Sequence, residues 1–65
     1  MKMHEITLNN LPFVRLTKTQ QKYFVNISEP LYKKSLALNC FLNVETQNKL
    51  ARDENLAVRC ALAMN

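Results

Sequence analysis

The sequence predicts one small all-α domain, and three observations lead to that prediction. The chain has 65 residues, a length that accommodates a single domain. Hydrophobic residues make up 48% of it, which is enough for a globular core and argues against disorder. Along most of the chain these residues recur at helical spacings, and the pattern repeats after 26 positions.

The repeat appears when residues 14–39 are aligned with residues 40–65. The identical pairs are Leu16 with Leu42, Gln21 with Gln47, Leu36 with Leu62, Ala37 with Ala63, and Asn39 with Asn65. Each copy reads as a hairpin of two short helices. The chain therefore divides into an N-terminal arm or cap, residues 1–13, and a two-unit helical-repeat domain, residues 14–65.

Capping residues predict the helix ends of the first copy. Thr17 and Gln20 fit the capping box, in which each side chain accepts a hydrogen bond from the other residue's backbone N–H. A short helix should follow and extend to about Val25. Pro30 suits the first turn of the second helix, where a missing N–H costs nothing. Asn39 is predicted to end that helix in the left-handed conformation.

The second copy repeats this arrangement. Asn43 should cap a helix over 44–51, and both Asp53 and Asn55 are candidate caps for the last helix. Apolar residues around Val58 recur at spacings of three and four, which is typical of one buried helix face.

The arm does not follow the period. Its segment MHEITL alternates weakly in polarity, and Pro12 opposes a helix running backwards from Phe13. A short strand, an extended arm and an N-terminal cap all remain open here.

The segment LARDENLAVRCALAMN, residues 50–65, is similar to a known repeat pattern. It resembles the variant leucine-rich repeat, written LA-x-D-x-(N/D)-x-x-VR-x-x-(L/V)-A-x-N, and more loosely the HEAT-like repeats. The matching residues are Leu50, Ala51, Asp53, Asn55, Val58, Arg59, Leu62, Ala63 and Asn65. The first copy retains only Leu36, Ala37 and Asn39. The resemblance implies a right-handed solenoid. Some members of the family carry a cysteine-rich iron–sulfur segment, which this chain lacks.

The net charge of +4 lies entirely in residues 14–39, which hold five basic residues and one acidic residue. An anionic partner should therefore approach this part of the chain. Basic residues beside tyrosines also suit single-stranded nucleic acid, through phosphate contacts and stacking. The predicted partner-binding residues are Arg15, Lys18, Lys22, Tyr23, Tyr32, Lys33, Lys34 and Arg59.

Composition argues against an enzyme. There is one histidine, and there is no glycine, so the phosphate-binding glycine loops cannot form. Two cysteines without a CxxC motif do not supply a zinc site, and no metal or cofactor is expected. The sequence shows no signal peptide and no membrane-spanning run, so we expect a cytoplasmic protein with both thiols free and at least partly buried.

The sequence therefore predicts a non-enzymatic binding module. A protein partner is favoured, with the chain acting as an adaptor or as an occluding inhibitor of the kind that phages and plasmids encode against bacterial complexes. Nucleic-acid binding through the basic middle third is the first alternative. Self-association, with one repeat array stacking on another as a homodimer, is the second.

Overall fold

Four α-helices make up most of the protein in the computed structural model, which describes residues 2–27 and 29–65. They are α1 (Lys18–Asn26), α2 (Pro30–Ala37), α3 (Val44–Ala51) and α4 (Leu56–Ala63). Two 3₁₀ turns precede them, at Met3–Glu5 and Leu11–Phe13. The described residues contain no strand, so the all-α prediction is confirmed and the strand alternative for the arm is wrong.

Side-chain caps fix where the helices begin. Thr17 Oγ1 accepts the N–H of Gln20 at 3.1 Å, and Gln20 Oε1 accepts the N–H of Thr17 at 2.9 Å. Asn43 and Asn55 cap α3 and α4 through their amide oxygens, and Pro30 occupies the first position of α2. These predicted caps are confirmed, because capping depends on residues close together in the sequence.

The core surrounds α2, which contacts α1, α3, α4 and the second 3₁₀ turn. The buried apolar side chains are Ile6, Leu11, Leu16, Phe24, Leu36, Ala37, Leu50, Val58 and Ala61. Each of the larger ones contributes roughly 1.5–3 kcal/mol by leaving water. Two members of this list belong to the arm, so the arm is part of the core.

Hydrogen bonds stabilise the conformation of the arm and attach it to α2. Asn10 Oδ1 accepts the N–H of Thr7 at 2.8 Å, and Asn10 Nδ2 donates to the carbonyl of Glu5 at 3.0 Å. Ser35 on α2 donates its hydroxyl to the carbonyl of Leu8 at 3.3 Å. This contact, together with buried Ile6 and Leu11, holds the arm against the helices.

Two predictions about single residues are wrong. Asn39 does not adopt a left-handed conformation: no described non-glycine residue has a positive φ. Its carboxamide is buried instead and bonds to backbone groups. Cys40 and Cys60 are exposed, not buried. Cys40 lies in the loop after α2, and Cys60 follows inward-facing Val58 by two positions, which places it on the opposite side of α4.

Candidate binding surfaces

The eight predicted partner-binding residues do not form one surface. Lys18 and Lys22 line a groove between α1 and α3, hereafter the basic groove. Tyr23 and Tyr32 line a second groove beside the arm. Lys34 borders a third, between α2 and α4, hereafter the apolar groove. The other three residues, Arg15, Lys33 and Arg59, line none of these grooves.

The basic groove brings three lysines together. Lys18 and Lys22 lie one turn apart on α1, and Lys49 faces them from α3. Glu45 reaches Lys49 with an N–O distance of 3.8 Å and offsets one of the three positive charges, so the groove stays basic. The composition of residues 14–39 pointed to the first two lysines and missed Lys49, which only the pairing of α1 with α3 brings near.

Lys33 is held inside the protein's own structure. Its Nζ lies 2.9 Å from Asp53 Oδ2, and the two side chains are only 18% and 10% exposed. Asp53 Oδ1 accepts the N–H of Asn55 at 2.8 Å, which orients the residue that caps α4. Lys33 therefore ties α2 to the turn before α4 and is not free to meet a partner.

The environment of Asp53 favours its ionised form. Burial on its own would raise the pKa of this carboxyl. The N–H of Asn55 and the ammonium of Lys33 act in the opposite direction and prevail, with a further contribution from the charge of Arg59, so the pKa lies below its ordinary value of 3.8.

The two tyrosines pack on buried Phe24. The ring of Tyr32 stacks at 6.0 Å between centroids and 19° between planes, and is partly buried. Tyr23 meets Phe24 edge-on at 5.2 Å and 86°, and is 54% exposed. Lys22 and Tyr23 are successive residues on α1, so they point about 100° apart and line different grooves. The basic and aromatic side chains are therefore not interleaved on one nucleic-acid platform.

Arg15 pairs with an aromatic ring of the loop after α2. Its guanidinium carbon lies 4.7 Å from the centroid of Phe41, within range of a cation–π contact. Phe41 is 43% exposed, so this contact lies at the surface.

The apolar groove was not predicted from the sequence. On α4, Ala57, Cys60 and Ala61 present small side chains along its length. Leu38 and Met64 border it, and Met64 is 82% exposed. The repeat could have indicated that two apolar residues border it, because Leu38 and Met64 occupy equivalent positions 26 residues apart.

Carboxamides at equivalent positions make similar hydrogen bonds. Gln21 Nε2 donates to the carbonyl of Leu16 at 3.1 Å, and Gln47 Nε2 donates to that of Leu42 at 3.0 Å. Asn39 Nδ2 donates to two carbonyls, those of Leu11 and Val14, both at 2.7 Å. Asn65 Nδ2 likewise donates to the carbonyls of Ala37 and Asn39, at 3.1 and 2.7 Å.

Within the described part of the chain, no three His, Cys, Asp or Glu residues are grouped closely enough to hold a metal ion. The helices of residues 2–27 and 29–65 also lack the length and apolarity needed to cross a bilayer.

Comparisons with protein-family models, with curated proteins and with solved structures find no match to this chain. Functional inference therefore depends on its own surfaces.

Proposed function

We propose that this chain is a small non-enzymatic protein-binding module built as a two-unit right-handed helical repeat of the variant leucine-rich type. The helix positions support the repeat: α1 begins at Lys18 and α3 at Val44, 26 residues later, and the same interval separates the starts of α2 at Pro30 and α4 at Leu56. Side-chain hydrogen bonds support the repeat further. Gln21 and Gln47 each donate to the carbonyl five residues before them, and Asn39 and Asn65 each donate to the carbonyl 28 residues before them.

The apolar groove is the observation that carries the choice of a protein partner. An exposed apolar surface on a small protein is typical of an interaction site. Small side chains at Ala57 and Cys60 leave room for an inserted side chain, with Leu38 and Met64 on either side. Among the described residues that line it, Lys34 carries the charge. The chain's net charge of +4 adds a preference for an acidic partner.

The occupant we propose is an amphipathic helix of an acidic partner protein. Its apolar residues would fill the groove at helical spacing, and a carboxylate at the edge would pair with Lys34. A cytoplasmic chain of this size would act by covering its partner's surface, as an adaptor or as an occluding inhibitor encoded by a phage or a plasmid.

Photo-crosslinking provides a direct test. A benzophenone maleimide on Ala63→Cys, in a Cys40→Ser/Cys60→Ser background, places a photo-crosslinker beside Met64 at the edge of the apolar groove; the same label on Cys40, in Cys60→Ser, is the matched control. We expect a defined acidic protein to be crosslinked from position 63 only. Met64→Glu should abolish that product, since it introduces a negative charge beside the groove.

Two results would count against this proposal: equal crosslinking from both positions, or a product that persists in Met64→Glu. A Lys18→Ala/Lys22→Ala variant should leave the crosslink unchanged, because these residues line the basic groove.

The basic groove favours a second candidate function, nucleic-acid binding through Lys18, Lys22 and Lys49. Three phosphate contacts to duplex DNA would give a log–log salt slope of roughly −2.7, because each contact contributes about −0.9. Fluorescence anisotropy with labelled DNA between low and physiological salt measures that slope. Specific binding that is lost in the triple alanine variant would favour this function over the protein-binding one.

A further inference from the structure

We propose that the basic groove is a binding site for a phosphate monoester, the doubly charged group found on phosphorylated side chains and on free phosphorylated molecules. The groove has a volume of about 200 Å³, and its two walls are α1 and α3. This assignment does not rest on the apolar groove, and it gives the basic groove a different ligand from the nucleic acid considered above.

A nearly buried hydroxyl without a partner lies in this groove. Thr46 lines it and is only 5% exposed, and its hydroxyl makes no hydrogen bond with residues 2–27 or 29–65. Among these described residues, every side-chain oxygen that is fully enclosed has a partner, so Thr46 Oγ1 belongs to the small accessible part of its residue. Buried polar groups in folded proteins are normally hydrogen-bonded, and this one can find its partner only in the groove.

The packing of the two units explains why the hydroxyl of Thr46 is left over. At the equivalent position of the first unit, Gln20 Oε1 accepts the N–H of the cap residue Thr17 at 2.9 Å. In the second unit, the N–H of the cap residue Asn43 instead donates to Gln21 Oε1 at 3.0 Å. The cap therefore takes only the backbone N–H of Thr46, which donates to Asn43 Oδ1 at 2.8 Å, and makes no use of the hydroxyl.

The charge of the groove matches a dianion. Lys18, Lys22 and Lys49 line it together with one carboxylate, that of Glu45, which leaves a net charge of +2. A phosphate monoester carries about −1.5 to −2 at pH 7 and has three strong acceptor oxygens. The first turns of both α1 and α3 border the groove, and the positive ends of their helix dipoles add to the attraction.

The type of cation argues against two other anions. A planar carboxylate is matched best by the fork of an arginine, and the described residues that line the groove supply its positive charge through lysines alone. A nucleic-acid phosphodiester carries a single negative charge, so one such group would offset half of the groove's charge. A phosphate monoester offsets all of it.

A capped amino acid, N-acetyl-O-phosphoserine amide, is the probe. Titrated into the ¹⁵N-labelled 65-residue protein, it should shift the backbone amide signals of Lys18, Thr19 and Thr46. Dimethyl phosphate, a singly charged diester, is the control ligand and should bind more weakly by about threefold or more. The affinity for phosphoserine should increase between about pH 5 and 7.5, because its second ionisation lies near pH 6, whereas dimethyl phosphate should show no such increase.

Protein variants test the individual groups. Thr46→Val removes the hydroxyl with little change of shape and should weaken binding about tenfold, the effect of one hydrogen bond to a charged group, whereas Thr46→Ser should still bind. Lys22→Ala should also weaken binding, and Glu45→Gln should strengthen it about threefold. Arg52→Ala removes a positive charge at the end of α3, outside the groove, and should leave the affinity within about twofold. Circular dichroism checks that each variant is folded.

Two further ligands distinguish the sources of the phosphate group. If a phosphoserine tripeptide binds more than about tenfold tighter than inorganic phosphate, the ligand is a phosphorylated partner protein; equal affinities indicate a free phosphorylated molecule, and either result supports the site. The proposal is overturned if the shifts map to another surface or if folded Thr46→Val binds as tightly as the parent. It is also overturned if duplex DNA binds through the three lysines while phosphoserine does not, a result that would favour the nucleic-acid function.

Discussion

At the scale of single residues, buried Asn39 bonds three backbone groups through one carboxamide. It is 1% exposed and satisfies the carbonyls of Leu11 and Val14 and the N–H of Phe41. Alanine would leave one buried and two partly buried backbone groups unpaired, so we expect Asn39→Ala to lower the free energy of unfolding by about 2–4 kcal/mol. Urea denaturation followed by circular dichroism measures the loss.

The chain supplies a control for that substitution at Asn65, which donates to two carbonyls as Asn39 does but is exposed. Water can replace its carboxamide, so Asn65→Ala should cost under about 1 kcal/mol. Equal losses of unfolding free energy at the two positions would show that burial does not determine how much the carboxamide stabilises the fold.

The ion pair of Asp53 with Lys33 predicts a pH dependence of stability. The folded-state pKa of Asp53 lies below 3.8, so the unfolded chain binds more protons in this range. The contribution is therefore complete well above pH 3.8 and is lost as the pH falls through the folded-state pKa. Unfolding free energies between pH 2 and 7 should show wild type exceeding Asp53→Asn at neutral pH, with the difference shrinking in acid.

Lys33→Met provides the control for the cause of that shift. It keeps the partly buried stem but removes the ammonium, so the acid-dependent part of the stability should diminish with it. An unchanged pH profile in this variant would mean that Lys33 does not lower the pKa of Asp53.

At the scale of helices, the sequence predicted the N-terminal ends well and the surfaces poorly. Thr17 and Asn43 were identified as caps, and Asn55 as one of two candidates, because a cap acts on backbone within three residues. The partner of Lys33 could not be identified, since Asp53 is twenty residues away and only the packing of α2 against α4 brings them together. Charge and aromatic content likewise predicted which residues could bind a partner. They did not predict that these residues line three different grooves.

Substitutions at Asn43 test how much the N-terminal cap of α3 stabilises the protein. Asn43 Oδ1 accepts the N–H of Thr46 at 2.8 Å, and an alanine there should destabilise the protein by about 1 kcal/mol. Asn43→Ser keeps an acceptor at the cap and should retain most of the stability. Thermal unfolding of the two variants separates loss of the cap from loss of side-chain volume, which both variants share.

At the scale of the whole molecule, the arm and the helices share one core. A domain of 65 residues is expected to have only roughly 3–10 kcal/mol of stability. Leu11, in the arm, is fully buried and contacts the core, whereas Phe13, in the same 3₁₀ turn, is 75% exposed. Leu11→Ala should therefore cost about 2–5 kcal/mol and bring the protein close to unfolding at 37 °C.

Phe13→Ala is the matched control for the arm and should shift the unfolding midpoint little, although it removes the larger side chain. If the arm were only an appendage, both variants would unfold like the parent, and a chain beginning at residue 14 would keep its helical signal. We expect that truncated chain to lose its cooperative transition, because it lacks Ile6 and Leu11 and leaves the buried carboxamide of Asn39 without one of its two carbonyl partners. Circular dichroism melting curves of the three proteins, recorded at several concentrations, distinguish these outcomes and show whether stability depends on self-association.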